Sequence, residues 1–117
     1  MLTIRPEQLA VFSQLEVRKF EQWMLAHLWR FFPRECRAAG DGQVRKTIRY
    51  GIERAGGYGV ASKRDVCKYI DLMIVFGKNF DTDPRYPWAA QILGKPGDPA
   101  AKMRSALEAG QLHLRKQ

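Results

Sequence analysis

The densest run of hydrophobic residues in the chain lies between Ser62 and Phe76. In its first half, apolar side chains recur at steps of three and four residues, which is the spacing of an amphipathic helix. The residues with this spacing are Val66, Tyr69, Ile70 and Met73. The second half, residues 72–76, is apolar at every position, so we expect other elements to enclose it. The pattern predicts a buried central helix over about 62–77.

Residues at both ends of this run support the helix. Ser62 is a preferred N-cap residue, and Asp65 follows three positions later, like the acidic residue of a capping box. Gly77 can adopt the left-handed conformation that ends many helices. A buried strand over 72–76 is the alternative, because short apolar runs are ambiguous. We prefer the helix because the rest of the sequence offers no strand partner.

The N-terminal third of the chain predicts a long helix that Thr3 caps and Pro33 ends or bends. Pro6 falls in its first turn, where a missing N–H costs little. The main apolar face follows helical spacing along Leu9, Phe12, Val17, Phe20, Trp23, Met24, His27, Leu28 and Phe31. A second apolar stripe on a neighbouring face consists of Leu25, Trp29 and Phe32. Either this helix is enclosed between other helices, or the second stripe contacts a partner protein.

A further helix is predicted from Val44 to about Ala55, after a possible extra turn over 34–39 and a cap at Asp41. Its core-facing residues would be Val44, Ile48, Ile52 and Ala55. Its other face is basic and carries Arg45, Lys46, Arg49 and Arg54. Gly51 lowers helix propensity, so we expect another element to pack closely against it.

Two more helices are predicted near the C-terminus. Pro87 begins a short one that runs through Leu93, and Asp98 with Pro99 begins the last one. The last helix should reach about Leu112, and the final residues should fray. Its inward residues would be Met103, Ala106, Leu107 and Leu112. Together these patterns predict an all-α fold: a single compact domain, residues 1–117, with five to six helices around the central one.

Composition narrows the class of protein. A hydrophobic fraction of 45% argues against disorder. The net charge of +8 suits nucleic acid, an acidic protein surface or an anionic membrane, and the basic residues are scattered without a block. The N-terminal residues lack the order of a signal peptide, and no apolar run approaches the roughly 20 residues that span a bilayer. The two cysteines stand outside any CxxC pair, so we expect reduced thiols in a cytoplasmic protein.

Candidate catalytic and metal-binding residues are few. The cysteines and histidines are Cys36, Cys67, His27 and His113. No general base, orienting acid or oxyanion loop stands at a recognisable spacing from them, so buried packing is the preferred interpretation. Asp81 and Asp83 are too few ligands for a hard cation, and an Asx turn that orders the loop is preferred. The glycines of residues 56–59 lack the P-loop spacing. We therefore expect no enzyme activity, no metal and no cofactor.

A DNA-binding interpretation is the main alternative. Helix 44–55, a turn containing glycine and a second helix that opens with Lys63 and Arg64 resemble a helix–turn–helix. Two observations count against it. The turn is long, and the second helix ends in an apolar run that leaves little of it to enter a groove of DNA.

Three segments carry a resemblance to a known group of proteins. They are WMLAHLWRFFP (23–33), IRYGIERAGGYGV (48–60) and RDVCKYIDLMIVFGKNFDTDPRYPWA (64–89). In this order they resemble small bacterial proteins encoded beside type VI secretion effector and PAAR-type spike genes. The resemblance runs over most of the chain and implies a chaperone or adaptor that holds an effector for loading, or an immunity protein.

These observations lead to one functional prediction. We expect a cytoplasmic, non-enzymatic protein that binds a protein partner, an effector encoded nearby. The alternatives are a basic helix–turn–helix-like DNA-binding protein and an immunity protein that binds a toxin. The candidate partner-binding residues are Leu25, Trp29, Phe32, Arg45, Arg49 and Arg54.

Overall fold

A computed structural model describes residues 14–116, with side chains described from residue 16 onward. These residues form six α-helices and one short 3-10 helix, Phe80–Thr82, and contain no strand. The α-helices are α1 (Gln14–Phe31), α2 (Pro33–Ala39), α3 (Asp41–Gly57), α4 (Lys63–Phe76), α5 (Pro87–Leu93) and α6 (Pro99–Arg115). The all-α prediction with five to six helices is confirmed. The predicted cap at Thr3 and the predicted positions of Pro6, Leu9 and Phe12 lie outside the described residues.

Helix α4 is the centre of the fold, because it packs against α1, α3, α6 and the 3-10 helix. Its predicted ends are confirmed. The Ser62 side chain accepts a hydrogen bond of 3.1 Å from the backbone N–H of Asp65. Gly77 ends the helix with a φ of 111°, a conformation that favours glycine.

The apolar end of α4 is less enclosed than its sequence predicts. Leu72, Met73 and Phe76 are buried, but Ile74 is half-buried and Val75 is 44% exposed. The expectation that the whole run is enclosed is therefore wrong. The helix buries the faces that meet its four neighbours and leaves one face towards solvent.

Helix α3 packs closely against α4 at Gly51. A Cβ atom on Gly51 would lie 2.5 Å from Cγ1 of Ile70 and 2.9 Å from Sδ of Met73, so only glycine fits. The predicted core residues Val44, Ile48, Ile52 and Ala55 are all buried. The predicted cap at Asp41 is wrong, because Gly40 is the N-cap and Asp41 is the first helical residue.

The two C-terminal helices begin where the sequence predicts. Pro87 is the first residue of α5, and the Asp98 side chain caps α6 by accepting a hydrogen bond of 3.1 Å from the N–H of Ala101. Helix α6 continues to Arg115, and Leu112 is 52% exposed, which corrects its predicted inward position. Gly110 occupies the buried face instead, where a side chain would meet Phe76. Across the described chain, every helix is too short or too polar to cross a lipid bilayer.

Candidate functional site: the groove between helices α1 and α4

The main apolar face of α1 is divided between the core and solvent. Phe20, Met24 and Leu28 are buried, as their spacing predicts. Trp23 and Phe31, predicted on the same face, are 55% and 59% exposed. The apolar face of α1 is wider than the surface that it buries against α3 and α4. The residues at its edge therefore stay exposed to solvent.

The exposed edge of α1 is an ordered row of rings. The ring of His27 lies between those of Trp23 and Phe31, at centroid distances of 5.4 Å and 4.9 Å. Trp23 also stacks on the buried ring of Phe20 at 6.1 Å. We call Trp23, His27 and Phe31 the aromatic row. It is a preformed apolar surface, since its rings are already fixed by one another.

The second stripe of α1, which the sequence predicts either to be enclosed or to contact a partner, does not belong to the aromatic row. Leu25, Trp29 and Phe32 are half-buried and pack against the core. Nε1 of Trp29 donates a hydrogen bond of 2.8 Å to the carboxylate of Asp41, which ties α1 to the start of α3. These contacts within the chain account for the stripe, and the larger exposed apolar side chains of α1 belong to the aromatic row.

Three of the four residues on the basic face of α3 contact acidic residues of the same molecule, whereas Lys46 is exposed. Nε of Arg49 donates to the buried carboxylate of Glu21 at 2.6 Å, and Arg45 approaches the same carboxylate at 3.8 Å. The hydrogen bond from Arg49 to Glu21 raises the pKa of Arg49. Glu21 is only 3% exposed, and the two arginines compensate its negative charge where α1 packs against α3. Arg45 and Arg49 therefore have a clear role inside the fold.

Arg54 belongs to a second such arrangement. Asp81 is fully buried, and its carboxylate accepts hydrogen bonds from Arg54 and from the hydroxyl of Tyr58, the latter at 2.6 Å. Burial, together with the hydrogen bond to Asp81, raises the pKa of Tyr58 to about 12. We call Arg54, Tyr58 and Asp81 the Asp81 network.

The Asp81 network joins two of the segments that carry the sequence resemblance. Arg54 and Tyr58 come from segment 48–60, and Asp81 comes from segment 64–89. Tyr50 and Asn79 make another bond between the same two segments. Nearby, Asp83 forms the predicted Asx turn by accepting a hydrogen bond of 2.9 Å from the N–H of Arg85. The distinctive residues of these segments therefore hold the loop after α4 against α3.

A groove of about 580 Å³ lies between α1 and the first half of α4. Its lining residues are Lys19, Phe20, Trp23, Lys63, Arg64, Cys67 and Lys68. Phe20, Trp23 and Cys67 supply apolar surface, and the four basic residues, which we call the groove cations, surround it. Within residues 14–116, Lys19, Lys63 and Arg64 form no ion pair, and Lys68 has only a 3.9 Å contact with Asp65. The groove therefore combines apolar surface with positive charge that the described residues leave largely uncompensated.

A cluster of His27, Cys67 and Asp71 lies beside this groove. Nε2 of His27 is 3.0 Å and 3.2 Å from the two carboxylate oxygens of Asp71 and 3.6 Å from Sγ of Cys67. His27 and Cys67 were candidates in the sequence, but no acidic partner stood at a recognisable spacing from them. Asp71 stands four residues after Cys67, so both side chains project from one face of α4. That spacing is the feature of the sequence from which Asp71 could have been predicted as a neighbour of Cys67. Cys36 and His113 lie outside the cluster.

The cluster is not arranged as an activated nucleophile. The thiol and the carboxylate approach the same nitrogen of His27, whereas a catalytic acid orients the ring through the opposite nitrogen. Burial, with a smaller contribution from Asp71, raises the pKa of Cys67 to about 12, so the thiol stays protonated at neutral pH. Burial likewise raises the pKa of Asp71.

Comparison of the chain with family models, curated proteins and solved structures gave no match. The resemblance to proteins encoded beside type VI secretion genes therefore stays a prediction that rests on the segments quoted above.

Proposed function

We propose that this protein is a non-enzymatic binding protein, an adaptor or chaperone for a secreted effector, and that the effector docks on the groove between α1 and α4. The observation that carries the proposal is the exposed ring of Trp23 beside four groove cations. Large aromatic side chains next to basic residues have the composition of protein-binding hot spots.

The apolar part of the surface is already in a binding conformation. Trp23 is stacked between Phe20 and His27, and Phe31 continues the aromatic row along α1. A partner that covers these rings buries apolar area without first having to immobilise flexible side chains. The surface is therefore suited to an apolar anchor on the partner.

The charge of the groove indicates the kind of partner. Lys63 and Arg64 occupy the first turn of α4, where the helix dipole favours negative side chains. Cations at this position oppose the stability of the helix, which is typical of residues retained for binding. We therefore propose a partner segment that carries carboxylates around an apolar anchor.

The shape of α4 favours a protein over DNA. Of its 14 residues, eight are buried, including Val66, Tyr69 and Ile70 near the middle of the helix. Its free face ends in Asp71 and Val75, which offer nothing to a phosphate backbone. On α3, Arg49 and Arg54 are bonded to Glu21 and Asp81. A docked protein uses the groove as it stands, whereas a helix–turn–helix requires a longer polar face on its second helix.

The test is capture of the effector encoded beside this gene, followed by calorimetry with the purified pair. Trp23→Ala should weaken binding by about 2 kcal/mol, roughly 30-fold, because it removes the anchor. Leu114→Ala is the matched control, since Leu114 is 49% exposed on another helix. Lys63→Glu with Arg64→Glu should also weaken binding, whereas Arg37→Glu with Lys46→Glu, the same charge change on exposed residues elsewhere, should not.

Three outcomes separate the proposal from its alternatives. A complex that survives moderate salt and depends on Trp23 supports an adaptor. A complex that also blocks the toxicity of the effector identifies an immunity protein. Sequence-selective binding to duplex DNA with steep salt dependence, and no captured protein, would favour the DNA-binding alternative.

A further inference from the structure

We propose that His27, Cys67 and Asp71 form a binding site for one divalent transition-metal ion of the zinc type. Their ligand atoms, an imidazole nitrogen, a thiol sulfur and a carboxylate oxygen, all lie within 4.8 Å of one another. Zinc binds all three of these ligand types in proteins. The proposal does not rest on the docking function, although Cys67 belongs to both sites.

The distances suit a tetrahedral metal ion. Zinc lies about 2.0–2.3 Å from nitrogen, sulfur and oxygen ligands, which places neighbouring ligand atoms roughly 3.5 Å apart. Sγ of Cys67 and Nε2 of His27 are already 3.6 Å apart. The carboxylate oxygen of Asp71 lies 3.0 Å from Nε2 and within 4.8 Å of Sγ, so it needs to move a few tenths of an ångström from the nitrogen and at most about 1.3 Å towards the sulfur. Cys67 and Asp71 share one face of α4, so the movement is a side-chain rotation.

A single hydrogen bond at Nε2 does not bind all three groups of this cluster. Both Cys67 and Asp71 approach Nε2 of His27. If Nε2 carries a proton, it donates to the carboxylate and has no lone pair that could accept from the thiol. If Nε2 carries no proton, it accepts from the thiol and cannot donate to the carboxylate. A cation at the centre is bonded by all three groups at once.

The charges of the three groups fit a divalent cation. A thiolate and a carboxylate together balance its charge, and binding removes the thiol proton. The rings of Trp23 and Phe31 hold the imidazole of His27 from both sides, which fixes the direction of Nε2.

Three protein ligands leave the fourth position of a tetrahedral ion for another donor. Cys67 also lines the groove between α1 and α4, so that donor is a water molecule or a group of a molecule bound there.

The test adds cobalt(II) to the full chain, without an affinity tag and after treatment with a chelator. Cobalt(II) reports its ligands by absorption: a near-ultraviolet band for a thiolate ligand and visible bands for a tetrahedral site. We expect both bands to saturate at one cobalt per chain and to disappear on addition of an equal amount of zinc. We also expect zinc to raise the melting temperature of the chelator-treated protein.

The chain provides its own controls, because it has two cysteines and two histidines. Cys67→Ser should lose the near-ultraviolet band, and His27→Gln and Asp71→Asn should lose saturable binding. Cys36→Ser and His113→Gln should retain the wild-type spectrum. Circular dichroism checks the folding of each variant. If Cys67→Ser does not fold, Asp71→Asn, which keeps the shape of its side chain, tests the metal site in its place. A wild-type protein without the near-ultraviolet band, or a band that follows Cys36, would overturn the proposal.

Discussion

Helix α3 and the groove between α1 and α4 are both basic in sequence, but they place their charges differently. Arg49 is held by the buried carboxylate of Glu21 and Arg54 by the buried carboxylate of Asp81, and Arg45 has a long contact of 3.8 Å with Glu21. The groove cations, by contrast, have only one long contact with an acid, from Lys68 to Asp65, within the described residues. The same residue types therefore stabilise the fold in one region and remain available to a ligand in the other.

The comparison shows why a count of charges does not locate a binding surface. The net charge of +8 is shared by both regions. Only the three-dimensional pairing tells which cations are compensated inside the molecule and which face solvent. The predictions below test this difference, since substitutions in α3 or its acidic partners should change stability, and substitutions in the groove should change binding.

Replacement of Asp81 by alanine should have the largest effect. The change leaves Arg54 and Tyr58 without their buried acceptor, and breaking a buried pair on one side typically costs about 3–5 kcal/mol. This is a large share of the stability of a small domain. Urea denaturation followed by circular dichroism measures the loss. Asp83→Ala, two residues away and facing an exposed arginine, is the control and should cost much less.

A loss below about 1 kcal/mol for Asp81→Ala would mean that the Asp81 network is a consequence of the fold and contributes little to its stability.

Glu21→Gln should have the next largest effect and should make α3 resemble the groove. The amide keeps the shape of the side chain but loses the charge that holds Arg45 and Arg49. Hydrogen bonds to charged groups contribute about 1.5–3 kcal/mol, so stability should fall by an amount in this range. The freed cations should also delay elution from a cation-exchange column. The delay should exceed that of Glu53→Gln, which removes an exposed charge from α3 itself. Equal retention of both variants would contradict the pairing.

Alkaline pH should weaken the Asp81 network. The pKa of Tyr58 is raised from 10 in the unfolded chain to about 12 in the folded protein. The stability contributed by this tyrosine is therefore complete below pH 10 and is lost as the pH rises from 10 towards 12. Unfolding free energies measured across this range should fall less steeply in Tyr58→Phe. A remaining fall is expected, because burial also raises the pKa of Tyr69. Identical slopes for the two proteins would contradict the assignment.

The double variant Lys63→Glu with Arg64→Glu should have the smallest effect on stability. Unlike the variants above, it should not lose stability and could gain it slightly. Acidic residues in the first turn of α4 interact favourably with the helix dipole, by about 0.3–1 kcal/mol. The double variant should therefore be as stable as the wild type or slightly more stable, while its capture of the effector is weakened. A loss of stability would show that these cations take part in the fold, as those of α3 do.

Much of the fold can be predicted from local sequence. Ser62, Pro87 and Asp98 begin helices because caps and first-turn residues act on the backbone next to them. The division of α1 into buried Met24 and exposed Trp23 cannot be predicted in this way, because both residues fit one apolar face. Only the width of the contact with the neighbouring helices decides which of them is covered.

The candidate sites depend still more on tertiary structure. Glu21 and Arg49 are 28 residues apart, and His27 and Cys67 are 40 residues apart, so no local pattern connects them. The spacing of Cys67 and Asp71 predicts a shared face of α4, but the crossing of α1 over that face is what brings His27 to them. The partner-binding stripe predicted at Trp29 was chosen from composition alone, without knowledge of which stripe the core would cover.

The segment between α4 and α5 has a consequence for the motions of the protein. Its backbone is irregular, but Asn79 and Asp81 bond it to Tyr50, Arg54 and Tyr58 of the α3 region. Local opening of this segment would break these bonds and expose a buried carboxylate, so it should open only when α3 and α4 separate. Its backbone amides should therefore exchange with deuterium as slowly as those of the central helices. A connecting segment that would ordinarily fluctuate on its own belongs here to the most protected cooperative unit of the molecule.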